Sequence, residues 1–165
     1  MSICAKGGKP HISLIDSFPK GNIQMTDLSL SGTASAESRA DYAALILRAS
    51  TGLFFLVHGL IKLFIFTPAG TAGYFESLGL PGALGYLTIL IEVLGGLALI
   101  VGYQTRWVAL VMVPVLLGAA VFGHGGNGFT FSNAGGGWEY PVLWAVVMAA
   151  LALLGDGAYA LGRRR

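Results

Sequence analysis

Charged side chains are scarce in this sequence. They make up 11% of 165 residues, against 55% hydrophobic ones, and the mean hydropathy is +0.71. A soluble domain of this size carries about 25% charged residues. Between Asp41 and the terminal Arg163-Arg164-Arg165, the only ionisable residues besides His and Tyr are Arg48, Lys62, Glu76, Glu92, Arg106, Glu139 and Asp156. Such sparse charge excludes an ordinary soluble globule, and the apolar runs approach the roughly 20 residues that span a bilayer. Cysteine is nearly absent too. Cys4 is the single one, so one chain can build no internal disulfide, no CxxC redox pair and no thiolate metal cage. No metal site is expected. The basic excess (pI about 8.8) has no interleaved aromatic surface to suggest a nucleic acid, and basic ends beside apolar spans meet anionic lipid headgroups instead.

What is present is a series of four apolar spans, roughly Ala43 to Phe66, Ala83 to Gly102, Arg106 to Gly123 and Tyr140 to Leu161. Thr67-Pro68 stops the first, Pro81-Gly82 precedes the second, and Pro114 lies inside the third. Each is apolar around most of its circumference, as lipid-facing helices are; a membrane strand would alternate. The expected fold is an all-α integral membrane four-helix bundle occupying residues 42–162. Residues 1–41 are polar and lack the apolar core of a signal peptide, so they are expected to form a disordered cytosolic leader, and 163–165 a basic cytosolic tail. Met25 is a candidate true start, because Lys20-Gly21 requires AAR-GGN codons, a purine-rich run suited to a ribosome-binding site. Arg39, Arg106 and Arg163–Arg165 fall on one side, while the 67–82 and 124–139 loops contain no Lys or Arg. That asymmetry places both termini in the cytosol. The outer loops are unusual: "HGGNGFTFSNAGGGWEY" holds six glycines and four aromatics, and its Trp and Tyr suit an interfacial belt.

Polar residues within the spans are the candidate site. A charge at the bilayer centre costs about 2.5–3.5 kcal/mol on insertion scales, so it normally faces protein or water. At about 100° per residue, Arg48, His58 and Lys62 share an arc of roughly 80° with Thr51, Gly52 and Gly59. Gly85, Thr88, Glu92, Gly95 and Gly96 form a second small and polar stripe; Ala145, Ala149, Ala152 and Asp156 form a third. Such stripes let helices approach closely and join polar groups. At 1.5 Å rise, His58 and Glu92 both lie roughly 12–13 Å from the outer ends of their helices, which predicts that they meet near mid-membrane. Arg48 and Asp156, both roughly 7–8 Å from the cytosolic end, are expected to form a structural ion pair. Lys62 lies nearer the outer surface, where it snorkels or reaches Glu139 or Glu76. His58 and His124 are a conceivable haem pair, but neither sits in a motif that specifies one.

The segments "LRASTGLFFLVHGLIKL", "GLP…LTILIEVLGGLALIVGYQTRWVA" and "HGGNGFTFSNAGGGWEYPVLWAVVMAALALLGDGAYAL" together resemble DoxX-type membrane proteins, over roughly Tyr42 to Leu161. The resemblance implies a four-helix inner-membrane protein carrying the label of membrane oxidoreductase, since such proteins include a subunit of a thiosulfate:quinone oxidoreductase, and a mycobacterial one has been linked to oxidative-stress partners. Arg48, His58, Gly59, Lys62, Glu92, Gly95, His124, Gly128, Phe129, Gly136, Trp138 and Glu139 sit in the resembling segments, without an established catalytic assignment.

Three functions are compatible with these features. In the first, the chain is a subunit of a quinone-linked membrane oxidoreductase. His58 and Glu92 handle the proton, Arg48, Lys62, Phe55, His124, Trp138 and Glu139 bind the substrate, and a soluble or membrane redox partner exchanges electrons. No cofactor is bound covalently, and a homo-oligomer is compatible with the pattern. In the second, the chain is a non-catalytic anchor or assembly factor for a soluble redox enzyme. In the third, a small carrier or channel, the sequence offers no internal repeat and no acidic ring.

Overall fold

The computed structural model describes residues 25–162, with side chains described from residue 38 onward. The expectations for residues 1–24 and for 163–165, including the Met25 start, lie outside the described residues. Among the described residues the architecture is all-helical, with no strand. Helix α1 runs Met25–Phe64, α2 Pro68–Ser77, α3 Ala83–Val101, α4 Thr105–Gly118 and α5 Glu139–Leu154. Residues 25–41, expected within a disordered leader, are instead the opening turns of α1.

The helix ends follow local chemistry. Thr67, at φ 61°, accepts a hydrogen bond from Gly70 N on its side chain and precedes Pro68 at the first turn of α2, a start signal in which proline loses nothing. This short helix occupies the connection between α1 and α3. Helix α3 ends on Gly102, whose φ of 72° is open to glycine. Gly102 N and Tyr103 N donate back to the carbonyls of Leu99 and Ala98, closing the last turn. Pro114 lies inside α4, and the helix widens into a π-turn over Ala119–Gly123, with more residues per turn than an α-helix. Helix α5 stops at Gly155 (φ 86°), shorter than the expected span to Leu161. Residues 155–162 instead turn across the end of the bundle. There Ala158 N donates to Asp41 O, Leu161 N to Val101 O and Gly162 N to Gly102 O.

The four long helices alternate in direction. Helix α1 packs most extensively on α3, and α4 on α5, while thinner α3–α4 and α1–α5 contacts close the ring. Three segments, Ser38–Phe64, Ala83–Val101 and Thr105–Gly123, are long and apolar enough to cross a membrane; Glu139–Leu154 is a shorter apolar helix. At 16 residues, α5 is about 24 Å long, short of the roughly 30 Å hydrocarbon core. Phe55, Leu99, Met112, Met148 and Leu151 form the fully buried centre, and Leu53, Leu90, Leu94 and Leu97 point outward, as lipid contact requires.

Two glycines explain the tight α1–α3 pairing. A Cβ on Gly52 would stand 2.8 Å from Gly96 O, and one on Gly96 would stand 2.8 Å from both Gly52 O and Leu56 N. The backbones thus touch where the small-residue stripes meet. Gly95 faces Met112 of α4 rather than α1, and Gly85 faces Thr71 and Ala72 of α2.

Candidate functional site

Two polar centres occupy opposite ends of the bundle. At the arginine-bearing end, Arg48 is 1% exposed. Its Nη1 donates to Leu99 O (3.1 Å) and Ile100 O (2.6 Å), and its Nη2 to Ala158 O (2.8 Å). Leu99 and Ile100 belong to the last turn of α3, whose carbonyls carry partial negative charge. The expected Arg48–Asp156 ion pair is not formed. Asp156 Oδ1 instead accepts from Thr105 N at 3.0 Å, capping the first turn of α4, and acts on Arg48 only through its field. Asp156 is held by the start of α4, and Arg48 by the end of α3 and the turn at Ala158, while its Nε is buried without a partner.

Toward the loop end lies a partly open cavity of about 840 Å³. Its wall includes Phe55, His58 and Lys62 from α1, Thr88 and Glu92 from α3, and Trp144 from α5. Lys62 Nζ donates to Glu92 Oε2 at 2.8 Å and to Oε1 at 3.0 Å. The side chains are 21% and 8% exposed. The expected His58–Glu92 pairing is therefore replaced by Lys62–Glu92, and Lys62 reaches neither Glu76 nor Glu139. The reason is the direction of side chains, which lean toward the N-terminus of their own helix. In α1 that lean carries the long Lys62 side chain back toward mid-bundle. In the oppositely directed α3 it lifts Glu92 toward the loop end, and the two meet. His58 leans away from Glu92.

His58 makes no hydrogen bond within the described residues; its ring lies edge-on to Trp144, centroids 5.6 Å apart. Phe55 stacks on the same indole at 4.4 Å. Trp144 thus organises the inner wall. Sequence reasoning did not single it out, although a lone Trp at the centre of "PVLWAVV", away from either interface, was the available signal. Tyr74 and Tyr140 were also missed; both line the cavity.

The other expected binding residues are distributed differently. His124 lines the cavity, and its Nδ1 lies 3.2 Å from Gly135 O and 3.1 Å from Gly136 O. Carbonyls only accept, so Nδ1 carries the proton. Trp138 and Glu139 are outside the cavity wall. Trp138 packs edge-on against Phe129 at 4.9 Å, and Glu139 Oε1 accepts from Phe131 N at 2.7 Å. Both fold the glycine-rich loop. Arg48 is likewise remote from the cavity. Among the described residues, no three His, Cys, Asp or Glu side chains converge in a way that could hold a metal ion.

Chemically, the cavity combines apolar walls with a net-neutral charge pair. Two N–H groups of Lys62 are used on Glu92, and the third has no acceptor within the described residues. His58 has both ring nitrogens uncommitted. Electrostatic interactions with these groups are strengthened by low-dielectric surroundings.

The comparisons with known proteins accord with this architecture. The DoxX family profile matches residues 43–125. The chain is 31% identical over 128 residues to the inner membrane protein YqjF of Escherichia coli, covering 74% of this chain and 92% of that protein. It is 32% identical over 127 residues to the inner membrane protein YphA of the same organism, covering 73% of this chain and 88% of the other. A third relative, named "Putative oxidoreductase CatD", from Bacillus subtilis, is 37% identical over 81 residues, which span 49% of this chain and only 59% of CatD. No solved structure is a significant match. With its long apolar helices, the chain is a multi-pass inner-membrane protein and belongs to the DoxX family.

Proposed function

We propose that this protein is the quinone-interacting subunit of a membrane-associated oxidoreductase system. The observation that carries the reading is the Lys62–Glu92 ion pair set beside His58 in an apolar cavity of about 840 Å³. A quinone head group is a flat, neutral ring with carbonyl oxygens, and the residues fit it. The spare N–H of Lys62 donates to one carbonyl. Glu92 and His58 accept or return a proton. Phe55 and Trp144 offer aromatic surface to the ring. Converting quinone to quinol takes two electrons and two protons; a redox partner protein supplies the electrons, while Glu92 and His58 relay protons. The name of CatD as an oxidoreductase supports the same direction.

The test is purification in mild detergent followed by organic extraction. The reading expects an isoprenoid quinone to copurify with the wild-type chain and to be lost in His58→Leu. A wild-type preparation free of quinone, whose stability added quinone does not change, would contradict it.

A second reading has one observation in its favour: the ion pair ties α1 to α3 along the same seam that Gly52 and Gly96 close. On that view the pair is a staple, and the protein is an anchor for a soluble redox partner. His58→Ala would then leave partner-dependent activity intact.

A further inference from the structure

The cavity does not end at the ion pair. Its wall on α4 includes Trp107, Leu110, Val111, Pro114 and Val115, a stripe at helical spacing running nearly the whole helix. On α3 it includes Leu84, Leu87, Thr88 and Ile91. Trp107, Leu110, Val111, Leu84 and Leu87 line the cavity and are exposed, at 68%, 49%, 48%, 39% and 47%, and Tyr74, Phe122 and Tyr140 do the same toward the loops. Along α3 and α4 the partly open cavity is therefore continuous with the surroundings of the bundle. Helices α3 and α4 are in direct contact where Gly95 meets Met112 and Val108, so the gap between them lies on the loop side of that contact, while the lining stripe of α4 continues past it to Trp107. The gap faces sideways, at the depth of the apolar spans.

We infer that the mouth between α3 and α4 is a lateral portal to the bilayer, through which a lipid-soluble ligand slides its head to Lys62, Glu92 and His58 while its tail lies along α4 toward Trp107. This rests on the reading of the cavity as a quinone site, and it adds the route and the orientation of the bound molecule. Three features fix the occupant's chemistry. The opposite charges of Lys62 and Glu92 cancel and one Lys62 N–H is unused, which suits a neutral, hydrogen-bond-accepting head over an anionic one. The remaining wall is apolar, which suits a hydrocarbon tail. From Trp107 to Phe122, also on the wall, the groove is about 22 Å long, room for several isoprene units but far more than a ring alone needs. A phospholipid has the tail but brings a charged phosphate to a site with no net charge to meet it.

The experiment places the full-length chain in phospholipid nanodiscs with two photoreactive isoprenoid quinones, one with an azide on the ring and one with it at the tail end, and maps the labelled peptides. The ring azide is expected to label segments containing His58 and Trp144, and the tail azide the Thr105–Val111 segment. Both labels should be competed by unlabelled quinone and unaffected by extra phospholipid. Leu87→Trp combined with Val111→Trp, both at lipid-facing positions, should slow labelling severalfold without abolishing it. Tail labelling on α2 or the 124–139 loop, with ring labelling intact, would overturn the portal and leave the quinone site standing. Labels displaced by phospholipid would overturn the portal in favour of a lipid-filled groove. Absence of saturable ring labelling would overturn the site and the portal together.

Discussion

Lys62 on α1 and Glu92 on α3 face each other across the bundle, with both carboxylate oxygens within 3.0 Å of one ammonium. The pair is the only direct charge–charge contact within the cavity wall. His58, on the same wall, lies one helical turn below Lys62. The pair's energetics are the first point of test.

Removing one partner leaves the other charged against apolar walls. Breaking a buried pair costs about 3–5 kcal/mol, and the partial exposure of Lys62 puts the loss near the lower edge. Glu92→Gln and Lys62→Met should each lower the detergent-solubilised Tm by several degrees. The double variant Lys62→Met/Glu92→Met should recover most of it, because two apolar side chains leave no stranded charge. A double variant as unstable as the sum of the singles would show that the two residues are not coupled.

The α1–α3 seam makes a separate prediction. Gly96→Ala places a methyl 2.8 Å from the backbone of α1, and overpacking of this kind costs about 1–3 kcal/mol. Gly118→Ala, where a Cβ meets nothing within 4 Å, should be neutral or slightly stabilising, since alanine favours helix more than glycine does. Thermal unfolding of the two variants side by side distinguishes the seam from a general glycine effect.

Arg48 holds the C-terminal turn by its bond to Ala158 O. A hydrogen bond to a charged donor contributes about 1.5–3 kcal/mol. Arg48→Met should therefore speed hydrogen exchange at the amides of Ala158, Leu161 and Gly162. Arg48→Lys should not restore protection, because a single ammonium cannot reach carbonyls on two different segments as the planar fork does. Unchanged exchange in both variants would show that residues 155–162 are held without the guanidinium.

In the glycine-rich loop, His124 Nδ1 is held between two carbonyls. Nitrogen NMR of the neutral imidazole should report the Nδ1–H tautomer. Asn127 Nδ2 donates to the same two carbonyls at 3.0 Å, so His124→Phe should loosen the loop without unfolding it, seen as faster proteolysis between Gly125 and Gly137. An Nε2–H tautomer would contradict this loop geometry.

The helix faces were readable in the sequence because apolar surroundings allow few places for a polar or small residue. Gly52, Gly59 and Gly96 do sit at a helix contact, and Glu92 does face the interior. Partners were less readable. Matching depths from helix ends treats each side chain as a point at its Cα, whereas Lys62 and Glu92 meet because their side chains lean in opposite directions along antiparallel helices. The Arg48–Asp156 expectation failed for another reason. Charge pairing considers only side chains, while the last carbonyls of α3 and the first amide of α4 were better placed partners. The early stop of α5 follows from Gly155, which the apolar run through Leu154 concealed by being followed at once by small residues.

The central claim is that the cavity beside Lys62 and Glu92 binds a quinone head group. Its most direct test is titration of the nanodisc-embedded protein with a short-chain quinone, read by quenching of Trp144, in a background where Trp107 and Trp138 are replaced by Phe. The account predicts saturable quenching that is weakened at least tenfold, about 1.4 kcal/mol, by His58→Leu or by the Lys62→Met/Glu92→Met pair, with folding retained. Non-saturable quenching, or quenching with the same midpoint in all three proteins, would contradict it.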